Sequence, residues 1–195
     1  LLAAAAATPL SLLAAVCQMV SHGLIAAMLF LLVGVVYQKT GTRDLKVLQG
    51  LLNPERGLPL IGSLMILGVM ASSGLPGMVG FVSEFLVFRG SFPIFPTQTL
   101  LSMVGTGLTA VYFLLLVNRV FFGRLSEPVQ DLPPVYWSDR APAMVLGALV
   151  LLLGLQPNWL VHYSETTMAS LLPARLAIAP TAIVAQPWPK AEIMK

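Results

Sequence analysis

Ser73-Gly74-Leu75-Pro76-Gly77-Met78-Val79-Gly80-Phe81-Val82-Ser83-Glu84-Phe85 is the stretch whose reading decides the fold. It lies inside a long apolar run, yet it holds three glycines, a proline and a carboxylate. Proline removes a backbone donor and clashes with the carbonyl four residues back. Glycine on either side lets the chain turn without a Cβ penalty. A lipid-facing segment tolerates no such interruption, because every backbone group there must be satisfied internally. The stretch therefore reads as a transmembrane helix broken at Gly74, Pro76 and Gly77, packed inside protein or against a water-filled cavity. Glu84 follows seven residues after Gly77. Ionisable residues within a membrane are costly and usually line a substrate or proton path. Interrupted helices are likewise where transporters place ion sites. The structural alternative is a packing kink, with Glu84 reaching towards an interface.

Working outward, the run containing this stretch extends from Leu58 to Phe88. At about 1.5 Å per residue a straight helix of that length spans roughly 46 Å, against a hydrocarbon core of about 30 Å. The overshoot argues independently for the break. Three further apolar runs, about 10–37, 100–122 and 142–160, complete the pattern. The expected fold class is an all-α integral membrane protein with about four transmembrane helices, the second broken at Gly74–Gly77. Pro9 suits a first helical turn. Gly105 and Gly107 on the third span permit close helix approach. Tyr136, Trp137 and Trp159 fit interfacial anchors. Residues 161–195, interrupted by Pro173, Pro180, Pro187 and Pro189, read as a tail with no fifth span and a disordered end.

Composition agrees. Of the 195 residues 57% are hydrophobic and only 10% charged, and mean hydropathy is +0.86. A soluble domain carries about 25% charged residues. The net charge of +3 comes from sparse loop residues and offers nothing to a nucleic acid. Cys17 is the one cysteine, which excludes a disulfide framework. The chain opens on Leu1-Leu2-Ala3 with no basic region before it, unlike a signal peptide, and reads as the C-terminal part of a longer protein. Lys39, Arg43, Lys46 and Arg56 fall in the first connection, and Arg119, Arg124 and Arg140 at or after the end of the third span. The second connection has only Arg89, and the tail only Arg175 near the last span. The positive-inside rule then puts the first and third connections at the cytoplasmic or stromal face, and the tail on the other.

His22, Glu84 and Arg89 are the titratable groups in or beside the spans, and Tyr112 and Asn118 add polar atoms on the third. Histidine titrates in the useful range unshifted. Burial disfavours a charged carboxylate and a nearby cation favours it, so an acid at such a place can change protonation when charge or water moves. Glu84 and His22 are thus a candidate proton pair on neighbouring helices; a packing hydrogen bond is the alternative for His22. Arg89 is five residues past Glu84, off the ideal helical spacing, and reads as an interface charge. Met65, Met70 and Met78 read as packing. No catalytic, metal-ligand or cofactor-binding pattern is present: there is no redox motif, no nucleophile–base arrangement and no phosphate loop.

Three ordered segments carry a family resemblance. Met19-Val20-Ser21-His22-Gly23-Leu24-Ile25-Ala26-Ala27-Met28-Leu29-Phe30, then Thr42-Arg43-Asp44-Leu45, then Gly74-Leu75-Pro76-Gly77 through Gly80-Phe81-Val82-Ser83-Glu84-Phe85, closely resemble the antiporter-like subunits of respiratory complex I. The likeness runs on to Arg119-Val120-Phe121-Phe122-Gly123. It implies that residues 1–160 are the C-terminal part of an antiporter-like proton-translocating membrane domain. Glu84 stands where L/F-type and N/B-type chains have lysine and M/D-type chains have glutamate, so the resemblance selects the M/D type. His22 matches the family histidine on the preceding helix, and Ala26 stands where L/F-type chains have a lysine. Asn53-Pro54-Glu55-Arg56-Gly57-Leu58-Pro59, Phe88-Arg89-Gly90-Ser91-Phe92-Pro93, Trp137-Ser138-Asp139-Arg140 and Gly154-Leu155-Gln156-Pro157 are similar to the D chains of the cyanobacterial NDH-1 complex, within them to variants of the carbon-dioxide-uptake form.

The resemblance implies a subunit that couples electron transfer elsewhere to proton pumping, with Glu84 and His22 as proton-translocation residues. It implies no cofactor on this chain; NAD(P)H or ferredoxin, iron–sulfur clusters and quinone belong to the parent complex. Implied partners are L/F-type and N/B-type antiporter-like chains, the lipid bilayer and, for the uptake form, CO2-hydration subunits. The implied location is a cyanobacterial thylakoid or bacterial inner membrane. A subunit of a multisubunit Na⁺/H⁺ antiporter and an inactive structural fragment are the alternatives.

Overall fold

The computed structural model describes residues 1–55 and 57–171. Arg56 and the tail positions Pro173, Arg175, Pro180, Pro187 and Pro189 lie outside the described residues. The elements are α1 (Leu2–Ala6), α2 (Pro9–Thr40), α3 (Pro59–Ser72), α4 (Val79–Ser91), α5 (Pro96–Phe121), α6 (Trp137–Leu155) and α7 (Pro157–Leu171), with one short 3-10 turn at Glu127–Val129. Helices α2, α5 and α6 are each long and apolar enough to cross a membrane. Helices α3 and α4, of 14 and 13 residues, reach only about 20 Å each at 1.5 Å per residue. Neither spans a core of about 30 Å alone. Together they form the interrupted crossing, and the chain is an all-helical membrane protein.

Helix α2 is the axis of the assembly and packs against α3, α4, α6 and α7. Thr8 caps it: Thr8 Oγ1 accepts from the Ser11 backbone at 3.1 Å, and the Thr8 backbone N–H donates to Ser11 Oγ at 2.9 Å. Pro9 takes the first helical position, where a missing donor costs nothing. Buried residues recur along it as Ser11, Ala14, Cys17, Ser21, Ile25, Met28, Leu32, Val36 and Lys39. That spacing of three and four marks one face, while Phe30 and Val33 stay exposed on another. The helix runs past the expected end at residue 37 as far as Thr40, and Gly41 closes it in a left-handed conformation at φ 70°. The added turn is possible because Lys39 is neutralised inside the protein: its Nζ lies 2.9 Å from Asp139 and donates to the Pro134 carbonyl at 3.0 Å.

Other boundaries shift for similar reasons. The span expected at 100–122 begins at Pro96, which again occupies a first helical turn. The span expected at 142–160 begins earlier, at Trp137, because Asp139 accepts from the Tyr136 backbone at 3.0 Å and caps the start. Pro142 lies within this helix rather than opening it. That helix ends at Leu155, and α7 follows at once, so residues 161–171 are helical and not tail. The short α1 was equally unforeseen. Gly105 and Gly107 make no close approach among the described residues: a side chain added at either would meet nothing within 4 Å.

Two buried clusters fill the interior. One gathers Met28, Leu32, Leu51, Ile61, Met65, Val120 and Phe121 at the end of the bundle that carries the first and third connections. The other gathers Leu13, Cys17, Ile25, Val79, Leu86 and Val150 at the opposite end. Met65 and Met78 are buried packing and Met70 is exposed. The first connection docks on the end of α5, where the Leu51 and Leu52 amides donate to the Val120 and Phe121 carbonyls at 3.1 and 3.0 Å. Lipid tails are as apolar as leucine, so burial here brings little hydrophobic gain and cohesion comes from close packing. Small residues allow it: Gly90 of α4 lies against the Ser11 backbone of α2, where an added Cβ would come within 2.8 Å.

Candidate functional site

The site is built around the gap between α3 and α4. Ser73 donates its backbone N–H to the Val69 carbonyl at 2.9 Å and its hydroxyl to the same oxygen at 2.8 Å. Leu75 reaches back to Met70 at 3.2 Å, and Met78 to Leu75 at 3.2 Å. The loop thereby satisfies much of its own backbone, as a segment at membrane depth requires. Gly74 and Gly77 take φ of 70° and 91°, values that favour glycine. Helix α6 seats the loop from outside, because Gly154 leaves room for the Gly77 carbonyl and the Met78 backbone to lie against it.

The loop redirects the chain so that α4 presents Glu84 back towards the break. The Glu84 Oε2 atom lies 2.5 Å from the point a Gly74 Cβ would occupy. The carboxyl therefore rests on the Gly74 backbone, and any larger residue there would displace it. Neither a hydrogen bond nor an ion pair among the described residues ties it down. Glu84 and His22 both line one cavity of about 500 Å³. Gln18 of α2 and Ser102 and Thr106 of α5 share its wall, with Val87 of α4. The cavity thus combines a half-buried acid, an imidazole, an amide and two hydroxyls in an otherwise apolar setting, which is a surface able to hold water and pass a proton.

The structure brings His22 and Glu84 into one space from different helices. Tyr112 and Asn118 are exposed and line no part of that cavity. Arg89 falls in the last turn of α4, towards the helix end, and Ala26 is half-buried on α2. Helix α5 contributes through Ser102 and Thr106 instead. Their spacing of four, and that of Gln18 from His22, is the helical-neighbour signal that marks each pair as sharing a face. At the other end of α2, Lys39 Nζ lies 5.2 Å from the centre of the Tyr136 ring as well as beside Asp139. That arrangement ties α2 to the start of α6 and takes no part in the cavity.

Comparison with known proteins gives this geometry a context. A family model described as NADH:quinone oxidoreductase/Mrp antiporter, TM matches residues 1–109, the segment that contains His22, the break and Glu84. NAD(P)H-quinone oxidoreductase chain 4 1 of Synechococcus sp. (strain JA-3-3Ab) is 39% identical over 201 residues, covering 96% of this chain and 37% of that protein. NADH-quinone oxidoreductase subunit M of Escherichia coli (strain K12) is 33% identical over 159 residues, covering 80% of this chain and 31% of that protein. The chain therefore spans about a third of the length of these curated relatives. Two solved structures share the fold at a TM-score of 0.76. The Mrp complex from Dietzia sp. DQ12-45-1b is 23% identical over 94% of this chain and 41% of that one. Respiratory complex I from Thermus thermophilus with bound NADH is 24% identical over 89% of this chain and 36% of that one. A broken membrane helix, an acid and a histidine on one cavity and a family match over more than half the residues agree: the chain belongs to the NADH:quinone oxidoreductase/Mrp antiporter transmembrane family.

Proposed function

We propose that this chain is part of a proton-translocating membrane subunit of an NAD(P)H- or ferredoxin-driven quinone oxidoreductase. Glu84 is its terminal proton site, and His22 passes protons towards it. The observation that carries this reading is the shared cavity, in which an acid seated on a helix break faces the same space as an imidazole. An imidazole accepts a proton at one nitrogen and releases one from the other, which suits a relay. A carboxyl at such a place responds to charge placed near it, because a cation favours its ionised form and burial the neutral one. Redox energy released elsewhere would reach this chain as a change in local charge or shape. The electron donor, iron–sulfur clusters and quinone belong to other subunits in this reading. L/F-type and N/B-type chains and lipid are its neighbours, for which the largely uncovered α5 offers a face.

The cyanobacterial likeness covers 96% of the chain, against 80% for the Escherichia coli relative. That difference favours a thylakoid NDH-1 setting over a bacterial inner membrane. The carbon-dioxide-uptake form, with CO2-hydration subunits, is the finer part of the proposal. It rests on the segments around Asn53–Pro59 and Trp137–Arg140.

Sodium–proton exchange is the second reading, favoured by the family description and by the fold shared with the Mrp complex. The two separate cleanly in vesicles carrying the parent complex. The proposal expects proton movement on adding electron donor and quinone, and none on imposing a sodium gradient. Proton movement driven by sodium and indifferent to electron donor would overturn it.

A further inference from the structure

Glu165 of α7 is a second carboxyl enclosed by helices. It is 8% exposed, and its Oε1 has no hydrogen-bond partner among the described residues. Native structures leave few buried polar atoms unpaired, and ordered water is a common reason when they do. Two oxygens on the facing helix share this condition, Gln18 Oε1 and Ser21 Oγ of α2.

The three are linked by the way α7 packs on α2. Cys17 Sγ donates to Ser164 Oγ at 3.6 Å, and Ser164 Oγ donates to the Leu160 carbonyl at 2.8 Å. Glu165 follows Ser164 directly on α7 and so lies beside this Cys17–Ser164 contact. Residues three and four apart are neighbours on a helix, with Cβ atoms about 5–6 Å apart. Ser21 is four residues past Cys17 and three past Gln18. It therefore stands between the side of α2 that meets α7 and the side that lines the His22–Glu84 cavity, where Gln18 lies. The oxygens without a partner among the described residues thus follow one turn of α2 from the side of that cavity towards the contact with α7. The titratable groups described on the elements that pack around this contact are few. On α2 Cys17 faces it, α6 has no titratable residue between Ala141 and Gln156, and His162 and Tyr163 of α7 are exposed.

We propose that water joins these oxygens and that Glu165 is a second proton-exchanging carboxyl, connected to the His22–Glu84 cavity across the α2–α7 contact. The inference rests on the proton-translocating reading above and adds one site beyond Glu84, which is then the end of the His22 relay and not of the whole path. In the step, the O–H bond of the Glu84 acid breaks and its proton passes along the hydrogen-bonded waters. An O–H bond forms on the Glu165 carboxylate. Glu84 is left as a carboxylate and Glu165 as a neutral acid; no electron moves and no co-reactant is consumed.

The test uses the complete complex reconstituted in vesicles, with protons moved per electron as the readout. Glu165→Gln is expected to assemble and to lower the ratio at least about twofold, as loss of a functional intramembrane acid should. Ser21→Ala, which removes one hydroxyl and little volume, is expected to lower it in the same direction, and Glu165→Asp to keep part of it. Glu84→Gln is measured alongside. Wild-type ratios for Glu165→Gln and Ser21→Ala, with Glu84→Gln impaired, overturn the relay and leave the Glu84 reading standing. A wild-type ratio for Glu84→Gln overturns the reading beneath both. If Glu165→Gln fails to assemble, Ser21→Ala decides: a lowered ratio supports the relay and an unchanged one overturns it.

Discussion

At the residue scale, Gly74 and Gly77 separate backbone strain from function. Both hold positive φ, so alanine at either carries a similar left-handed cost of roughly 1–2 kcal/mol. Their surroundings differ. A Cβ at Gly74 would meet the Glu84 carboxyl at 2.5 Å, whereas at Gly77 the nearest atom is Leu155 Cδ2 at 3.9 Å. Gly74→Ala is therefore expected to impair proton translocation more than Gly77→Ala, with the two losing similar stability. Pumping and thermal-stability measurements on both variants check this, and equal loss of pumping would sever Glu84 from the break. His22 and Glu84 stand out in the sequence as candidates because a charge-capable side chain inside an apolar run is conspicuous by type alone. Gln18, Ser102, Thr106 and Glu165 do not, because their place on the cavity wall or in the α2–α7 contact depends on what faces them across the bundle. Lys39 misled for the same reason: its partner Asp139 is far along the chain, so its place in the polar connection looked natural.

At the scale of elements, the four apolar runs and the break were legible from length and from proline and glycine. The errors fell at ends, where capping rather than hydropathy decides. Pro96 and Trp137 open helices that apolar content alone starts later, and α7 was obscured by its polar residues Ser164 and Glu165. Glycines on the spans likewise carry no label saying which are packed. Gly154 of α6 abuts the Gly77 carbonyl and the Met78 backbone, while a side chain at Gly105 of α5 would meet nothing within 4 Å among the described residues. Gly154→Ala is expected to destabilise by about 1–3 kcal/mol through overpacking. Gly105→Ala is expected to be neutral or slightly stabilising, since alanine favours helix by up to about 1 kcal/mol. Thermal unfolding of the purified complex measures both, and a reversed order would contradict the seating of the break by α6.

At the scale of the whole molecule, α2 joins the two ends of the bundle, and the connections cluster by charge. The Ser126 backbone donates to the Gln49 carbonyl at 3.4 Å, so the first and third connections lie together at one end. Arg89 falls near the far end of α4. Lys46→Cys and Arg124→Cys are expected to react with an impermeant thiol reagent from the cytoplasmic or stromal face, and Arg89→Cys from the opposite face. Labelling of positions 46 and 89 from the same face would refute the crossing pattern. The central claim is that Glu84, held on the break and facing the cavity of His22, carries the proton. Glu84→Gln keeps the size of the side chain and removes only its capacity to gain or lose a proton. Proton uptake per electron in the reconstituted complex tests it most directly. The account predicts normal assembly with a sharply reduced ratio, partly retained in Glu84→Asp; normal assembly of Glu84→Gln with a wild-type ratio would contradict it.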